Sequence, residues 1–402
     1  MSTPRVVVIA PVLPYDAIPH AGGQYLLTLT RVLAERSVLT VVVPSTPLNR
    51  AAVGRPGVPP GSLVVGGERA STLVGRAAAR VRTNVDHSWR VYDPGLRSLA
   101  LATALSRPGP AREAVERADV VDLQWSESVR LATLVRRINP GARVLGTFHD
   151  VQSQLFDREP ARNHRERARW RFATRRARSA ERRGVRDLDE IWTFSDKDAV
   201  LLGNPRHVRV VHPPLASGAE RPRPEPGRPR TVLFVANLGR DENDAAARWL
   251  VDEIWLAVLR RCPDAVLRLV GAGASDALTA SVAARPEVTV TGYVDDLAAE
   301  YAGAWVAVVP LLQGAGVKFK TVEALLHDVP TVTTPVGAEG IVGPDLFAAC
   351  TDDLGALADA LVDVLDHPDA HRLRTAAAQE WASRVYGRDR FGAAVRTAYA
   401  LG

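Results

Sequence analysis

The sequence predicts an α/β protein of two parallel-sheet domains in series, and three observations carry that prediction. Two short, almost wholly apolar runs, Arg5-Val6-Val7-Val8-Ile9-Ala10 and Thr231-Val232-Leu233-Phe234-Val235, each open an alternation of strand and helix. Strand ends run into glycine-bearing loops at Gly22-Gly23, Gly271-Ala272-Gly273 and Gly314-Ala315-Gly316. Between the two series lies Pro213 to Arg230, with six prolines in eighteen residues and almost no apolar content, which reads as a semi-rigid linker. At 402 residues the chain exceeds a single ordinary core.

In chain order, the first strand is followed by a loop to His20 and by a helix with Leu26, Leu29, Val32 and Leu33 at helical spacing. A strand follows from Leu39 to Val43. No G-x-G-x-x-G follows the first strand, so the dinucleotide fingerprint is absent, and Gly22-Gly23 reads equally as turn punctuation. Residues 50–115 have diffuse periodicity and read as helices and loops. Ala118 to Trp125, Ala142 to Thr147 and Ile191 to Phe194 are further strands, and Ser195-Asp196 caps a helix over Lys197 to Leu202. The second series has strands at 266–270, 288–291, 305–310 and 331–333. Residues His371 to Leu401 read as a final helical segment interrupted at Tyr386-Gly387.

Composition sets outer bounds. An apolar content of 46% and a charged content of 24% belong to a globular chain. No apolar run approaches the length of a membrane span, and Met1 to Arg5 does not resemble a secretion signal, so a cytoplasmic place is expected. Cys262 and Cys350 have no metal or redox spacing and are expected to be reduced core residues. Residues 1–220 carry 33 basic and 21 acidic side chains, a net +12, which leaves −6 for residues 221–402. An arginine-favouring composition accounts for this asymmetry. With no nucleic-acid recognition motif present, no nucleic-acid partner is expected. Arg162 to Arg186 holds eleven arginines, with Trp170 and Phe172 among them. It reads as a solvated basic helix or as a peripheral contact with the inner face of a membrane.

The most informative stretch is Val308 to Leu326. A buried strand leads through Gly314 and Gly316 into a helix that carries Lys318, Lys320 and Glu323. The chain has only three lysines among 51 basic residues, and two fall here, so a compact ammonium suits this loop better than a guanidinium. A bare loop, a helix start, a cation and a carboxylate suit a phosphorylated, hydroxylated ligand, although an exposed helix start that carries Lys accounts for the spacing equally well. His149, in Phe148-His149-Asp150, stands at the carboxyl end of a strand, where open parallel sheets bind ligands; a locally satisfied histidine is the plain alternative.

These residues resemble retaining, family-4-type glycosyltransferases of the GT-B fold. The matching pattern is Gly314-x-Gly316-x-Lys318-x-Lys320-x-x-Glu323-Ala324-Leu325, then Val329 to Thr334 and Gly337-Ala338-Glu339-Gly340. Thr231 to Gly239 and Leu269-Val270-Gly271 extend it over most of residues 231–345. The resemblance implies two Rossmann-like domains facing a central cleft: an acceptor-side domain over 1–212, the linker 213–230, a donor domain over 231–370, and a segment 371–402 that crosses back onto the first domain. It implies sugar transfer from a nucleotide diphosphate sugar, with retention. Glu323 would hold the ribose hydroxyls, and Lys320, Arg240 and the Gly316 backbone the diphosphate, with Gly314 and Lys318 beside them. Gly22 and Gly23 would let the first domain approach donor and acceptor, and His149 would contact the transferred sugar.

No Asp-x-Asp stands at a strand end, so neither a metal nor a separate cofactor is expected. The acceptor is a glycan, a lipid-linked glycan or a small metabolite. Two departures stand out: Ala315 occupies the place of a frequent glutamate, and Asp241 to Ala246 offers no lysine after Arg240. A nucleotide-sugar epimerase or hydrolase on the same fold is the alternative enzyme, and Ala315 keeps open a catalytically silent binding subunit.

Overall fold

The structure, a computed structural model, describes residues 3–18, 20–66, 98–159, 161, 163–215, 229–343 and 345–401. The chain divides into two compact units, Met1–Pro214 with Asp389–Gly402, and Leu215–Arg388. The first holds seven parallel strands: β1 (Arg5–Ile9), β2 (Val38–Pro44), β3 (Leu63–Val65), β4 (Val120–Gln124), β5 (Arg143–Phe148), β6 (Glu190–Thr193) and β7 (Val208–Val210). Their order across the sheet is β3-β2-β1-β4-β5-β6-β7. The second holds β8 (Arg230–Val235), β9 (Ala265–Val270), β10 (Val288–Gly292), β11 (Val306–Val309), β12 (Thr331–Thr333) and β13 (Ala349–Cys350). These are again all parallel, in the order β10-β9-β8-β11-β12-β13. Both sheets reverse their winding once, between β1 and β4 and between β8 and β11. Such switch points open a crevice beyond the strand ends.

The apolar runs are explained by burial on both faces. Along β8, Val232 and Phe234 pack with Leu267, Leu269, Val306, Val308, Leu357 and Leu361. Leu233, one residue out of phase, packs the other way, with Val270, Tyr301, Ala307 and Ala324. In the first unit Val7, Ile9, Val121, Leu123 and Val144 form the equivalent layer with Leu101, Leu105, Val115 and Val135.

The strands the sequence leaves out are edge strands of two or three residues: Leu63–Val65, Val208–Val210 and Ala349–Cys350. The first lies in the stretch read as helices and loops, of which residues 67–97 lie outside the described residues. Cys262 is buried as expected, whereas Cys350, on the edge strand β13, is exposed and not a core residue.

Gly271-Ala272-Gly273 has a packing role. Gly271 has φ +143°, and a Cβ there would stand 1.7 Å from the Ala236 carbonyl oxygen. Gly273, at φ +88°, lies against the backbone of Gly239. The two glycines let the loops after β8 and β9 press backbone to backbone. We expect Gly271→Ala to destabilise the protein by about 3 kcal/mol or more, read as a lowered midpoint in urea unfolding.

The C-terminal segment breaks at Gly387, between helices Arg372–Tyr386 and Arg388–Ala398. Residues 371–402, read from the sequence as a segment that crosses back onto the first domain, divide at this break. Ala378, Ala382 and Tyr386 pack with Val322, Leu325 and Leu326 in the second unit, where the Leu215 N–H donates to the Tyr386 carbonyl at 2.9 Å. Only residues from Asp389 onward belong to the first unit. There the Tyr399 hydroxyl donates to Asp122 Oδ2 at 2.6 Å, and Arg143 donates to the Ala398 carbonyl.

Candidate functional site

In the second unit, two loops leave neighbouring strands at the switch point. The loop after β8 turns at Asn237, whose side-chain oxygen accepts from the Gly239 N–H at 3.1 Å, and enters helix Asp241–Trp249 with Arg240 at its N-cap. The loop after β11 passes Gly314 (φ +123°) and Gly316 (φ +70°), both in the left-handed region that glycine adopts at little cost. It enters helix Phe319–Leu326 with Lys318 at its N-cap.

The two lysines of this loop have different surroundings. Lys318 folds under the loop: its Nζ donates to the Gly316 carbonyl at 2.7 Å and the Ala315 carbonyl at 3.0 Å, and stands 3.6 Å from Glu339. With 8% of its side chain exposed, it clamps the glycine loop onto the 334–341 loop. Three hydrogens on one nitrogen suit two carbonyls and a carboxylate, which explains a lysine here in an arginine-rich chain. Ala315 takes part through its carbonyl oxygen. Thr334 and Thr321 complete the support: Thr321 Oγ1 donates to the Gly337 carbonyl at 2.8 Å, and Thr334 Oγ1 donates to the Leu311 carbonyl.

Lys320 reaches across to the other loop. Its Nζ donates to Asn243 Oδ1 at 2.5 Å and lies 5.8 Å from the centre of the Phe234 ring. Asn243 is itself fixed, because its Nδ2 donates to the Asn237 carbonyl at 2.7 Å. Burial, and then the charges of Arg240 and Lys318, push the Lys320 ammonium down to about 7, against the pull of Glu242 and Glu323. Arg240 is more open, 64% exposed, and pairs with Glu242 at 2.5 Å. Glu323, one turn along the helix from Lys320, is pushed up to about 7 by burial, with Lys320 opposing. Behind it, Tyr301 is buried and stacks on His327 at 4.6 Å between ring centres.

In the first unit, the strand ends at β1, β4 and β5 bring together a second cluster. His149 follows β5 and stacks on Trp125, which follows β4, with ring centres 3.7 Å apart and planes 13° from parallel. Tyr25 and Phe194 meet the imidazole edge-on at 5.0 and 4.8 Å. His149 Nε2 lies 3.1 Å from Gln124 Oε1. Burial, and then the nearby His20, hold His149 well below the ordinary histidine range, so the ring is neutral at pH 7.

The glycine pair has a local reason. A Cβ on Gly22 would meet the Trp125 ring at 2.7 Å, and one on Gly23 would meet Ile18 at 2.4 Å and His20 at 2.8 Å. His20 caps the helix Ala21–Ala34 by accepting from the Gly23 N–H at 3.0 Å. Trp125 itself has φ +67°, a conformation rare for a large side chain, and such strain gathers at functional positions.

Of the residues read from the sequence, Arg240, Lys320, Glu323, Gly314, Gly316 and Lys318 thus collect at one switch point, and Gly22, Gly23 and His149 at the other. Sequence reasoning missed Asn243, Trp125, Gln124 and Asp122. The signal for Asn243 was its place in the first turn after Arg240. The signal for Gln124 and Asp122 was polar residues two apart in an otherwise apolar strand. Among the described residues, no group of three His, Cys, Asp or Glu could hold a metal ion.

Residues 229–367 match the family model of glycosyl transferases group 1. A protein of Klebsiella pneumoniae described as an uncharacterized 44.6 kDa protein in the cps region is 27% identical over 152 residues, 36% of this chain and 38% of that protein. The chain is similar in structure to Anabaena HepE, solved with UDP and with UDP-glucose. For the UDP complex the TM-score is 0.67 at 11% identity, covering 98% of this chain and 99% of the other. It is also similar to sucrose-phosphate synthase from Thermosynechococcus elongatus, with a TM-score of 0.68, 17% identity and 98% of each chain covered. The chain therefore has the two-domain GT-B fold of glycosyltransferases, and the match to the glycosyl transferases group 1 model lies within its second unit.

Proposed function

We propose that this enzyme transfers a sugar from a nucleoside diphosphate sugar to a hydroxylated acceptor, with retention and without a metal. The observation that carries the reading is the placement of Lys320 and Glu323 at the switch point of a glycosyl transferases group 1 domain, one aminium and one carboxylate a helical turn apart. Lys320, Arg240 and the N–H groups at the start of helix Phe319–Leu326 would meet the diphosphate, and Glu323 the ribose hydroxyls. HepE, solved with UDP-glucose, supports a donor of this class.

Sugar transfer places positive charge on the reacting carbon and negative charge on the departing diphosphate. A cation held on Asn243 and Phe234 is already oriented when that negative charge develops. Lys318, clamped on its own loop, keeps the glycine backbone in place for the same ligand. His149 would accept a hydrogen bond from a hydroxyl of the transferred sugar, and Gly22 and Gly23 would give the first unit its close approach. Retention rests on the resemblance of the 314–325 pattern, and the anomeric configuration of the product by NMR tests it. Lipid-linked glycan is the acceptor class we favour. Helix His164–Asp187 buries Ala173, Ala177, Ala180 and Gly184 and turns all its arginines but Arg169 outward around a half-exposed Phe172, a surface suited to anionic lipid.

The test is a panel of nucleoside diphosphate sugars, screened first for thermal stabilisation and then for nucleoside diphosphate release with lipid-linked and soluble acceptors. Acceptor-dependent release is expected. Release at the same rate without acceptor points to a hydrolase, and binding without release to a silent subunit.

A further inference from the structure

The polar residues inside strand β4 have no place in the reading above, although they are among the most deeply buried polar groups of the first unit. Asp122 and Gln124 are fully buried, two residues apart, and so on the same face of the strand. Gln124 is in register with Thr147 of β5. Its Nε2 donates to Asp122 Oδ2 at 2.7 Å and to Thr147 Oγ1 at 3.0 Å. Asp122 Oδ2 takes a second hydrogen bond from the Tyr399 hydroxyl at 2.6 Å.

This arrangement leaves one orientation for the Gln124 amide. Reversed, its carbonyl oxygen would face the carboxylate of Asp122. As placed, both amide hydrogens are engaged, and Oε1, which can only accept, faces His149 Nε2 at 3.1 Å. The imidazole, neutral and held flat against Trp125, must then carry its proton on Nε2, which leaves Nδ1 as the acceptor.

We propose that Gln124, oriented by Asp122, is the positioning residue that holds His149 in its Nε2–H tautomer, so that Nδ1 accepts a hydrogen bond from a substrate hydroxyl. Tyr399 holds Asp122 in turn. The tautomer is a property of the free protein; its use on a sugar rests on the function proposed above.

The test uses the full chain labelled with 15N-histidine, with the His149 signals assigned by their loss in His149→Gln. In the wild type, His149 is expected as a single form, with a protonated Nε2 and a bare Nδ1. Gln124→Leu removes the acceptor and should turn it into a mixture of tautomers. If Gln124→Leu does not fold, Asp122→Asn changes almost no volume and is the second variant. It lets the Gln124 amide reverse, and the single form should again be lost. A wild-type Nδ1–H form, or an Nε2–H form that survives in the folded variant, overturns the proposal. In the transfer assay Gln124→Leu should lower kcat about tenfold with the donor KM unmoved. Tautomer changes without transfer in the wild type leave the positioning role standing and remove the function; transfer with an unmoved tautomer does the reverse.

Discussion

Replacing Lys320 by alanine is expected to lower kcat for sugar transfer by about two to three orders of magnitude, the usual cost of deleting one oriented group that meets developing negative charge. The fold should survive. Lys320 is a desolvated cation pushed down to about 7, so its folded environment penalises the charged form. Between about 7 and 10.5 the unfolded chain holds a proton that the folded chain gives up, and stability contributed by this group therefore rises with pH in that window. Removing it should leave Tm within a few degrees of the wild type or raise it, while transfer collapses. A variant that keeps full turnover with saturating donor would remove Lys320 from the site.

The second large effect is expected at Glu323. A carboxylate that accepts from ribose hydroxyls contributes about 1.5–3 kcal/mol per hydrogen bond, so Glu323→Ala should raise the donor KM about 10- to 150-fold. The pH dependence identifies the two groups separately. In the roles proposed above, Glu323, pushed up to about 7, would have to lose its proton to accept from the ribose; Lys320, pushed down to about 7, would have to keep its proton to attract phosphate. Affinity for a nucleoside diphosphate should therefore be bell-shaped with its maximum near 7. Calorimetric titration across the pH range should show Lys320→Met retaining only the acidic limb and Glu323→Gln only the basic one. Profiles unchanged in both variants would sink the assignment.

Much of the fold could be read from residues alone because both sheets are buried on two faces. Val6 to Ile9 and Val232 to Val235 cannot be other than central strands when each residue in turn meets a layer of helices. Leu63–Val65 and Ala349–Cys350 lie at sheet edges, where two or three residues make no detectable run. The break at Gly387 was visible. Which unit each flanking helix joins was not, because both carry the same alanine-rich, arginine-studded pattern. Lys320 and Glu323 stood out by composition and spacing. The partner of Lys320, Asn243, lies 77 residues away, and only the parallel pairing of β8 with β11 brings the two loops together. Trp125 closed a strand in the sequence; its left-handed backbone, which turns the ring onto His149, follows from the three-dimensional packing around Gly22.

The division of the chain at 214 and 389 has a consequence for synthesis. The second unit, Leu215–Arg388, is continuous and can complete its core as it leaves the ribosome. The first unit is made earlier but finished later. Asp122 waits for the Tyr399 hydroxyl until the whole of the second unit has been translated, an interval of roughly 10–35 s at ordinary elongation rates. During that time a buried carboxyl in the middle of a seven-stranded sheet lacks one of its two donors, and the half-built unit is the form most open to chaperones and proteases. Fusing a bulky partner directly behind Leu401 should act there, on yield and on the first unit, before it touches the second unit.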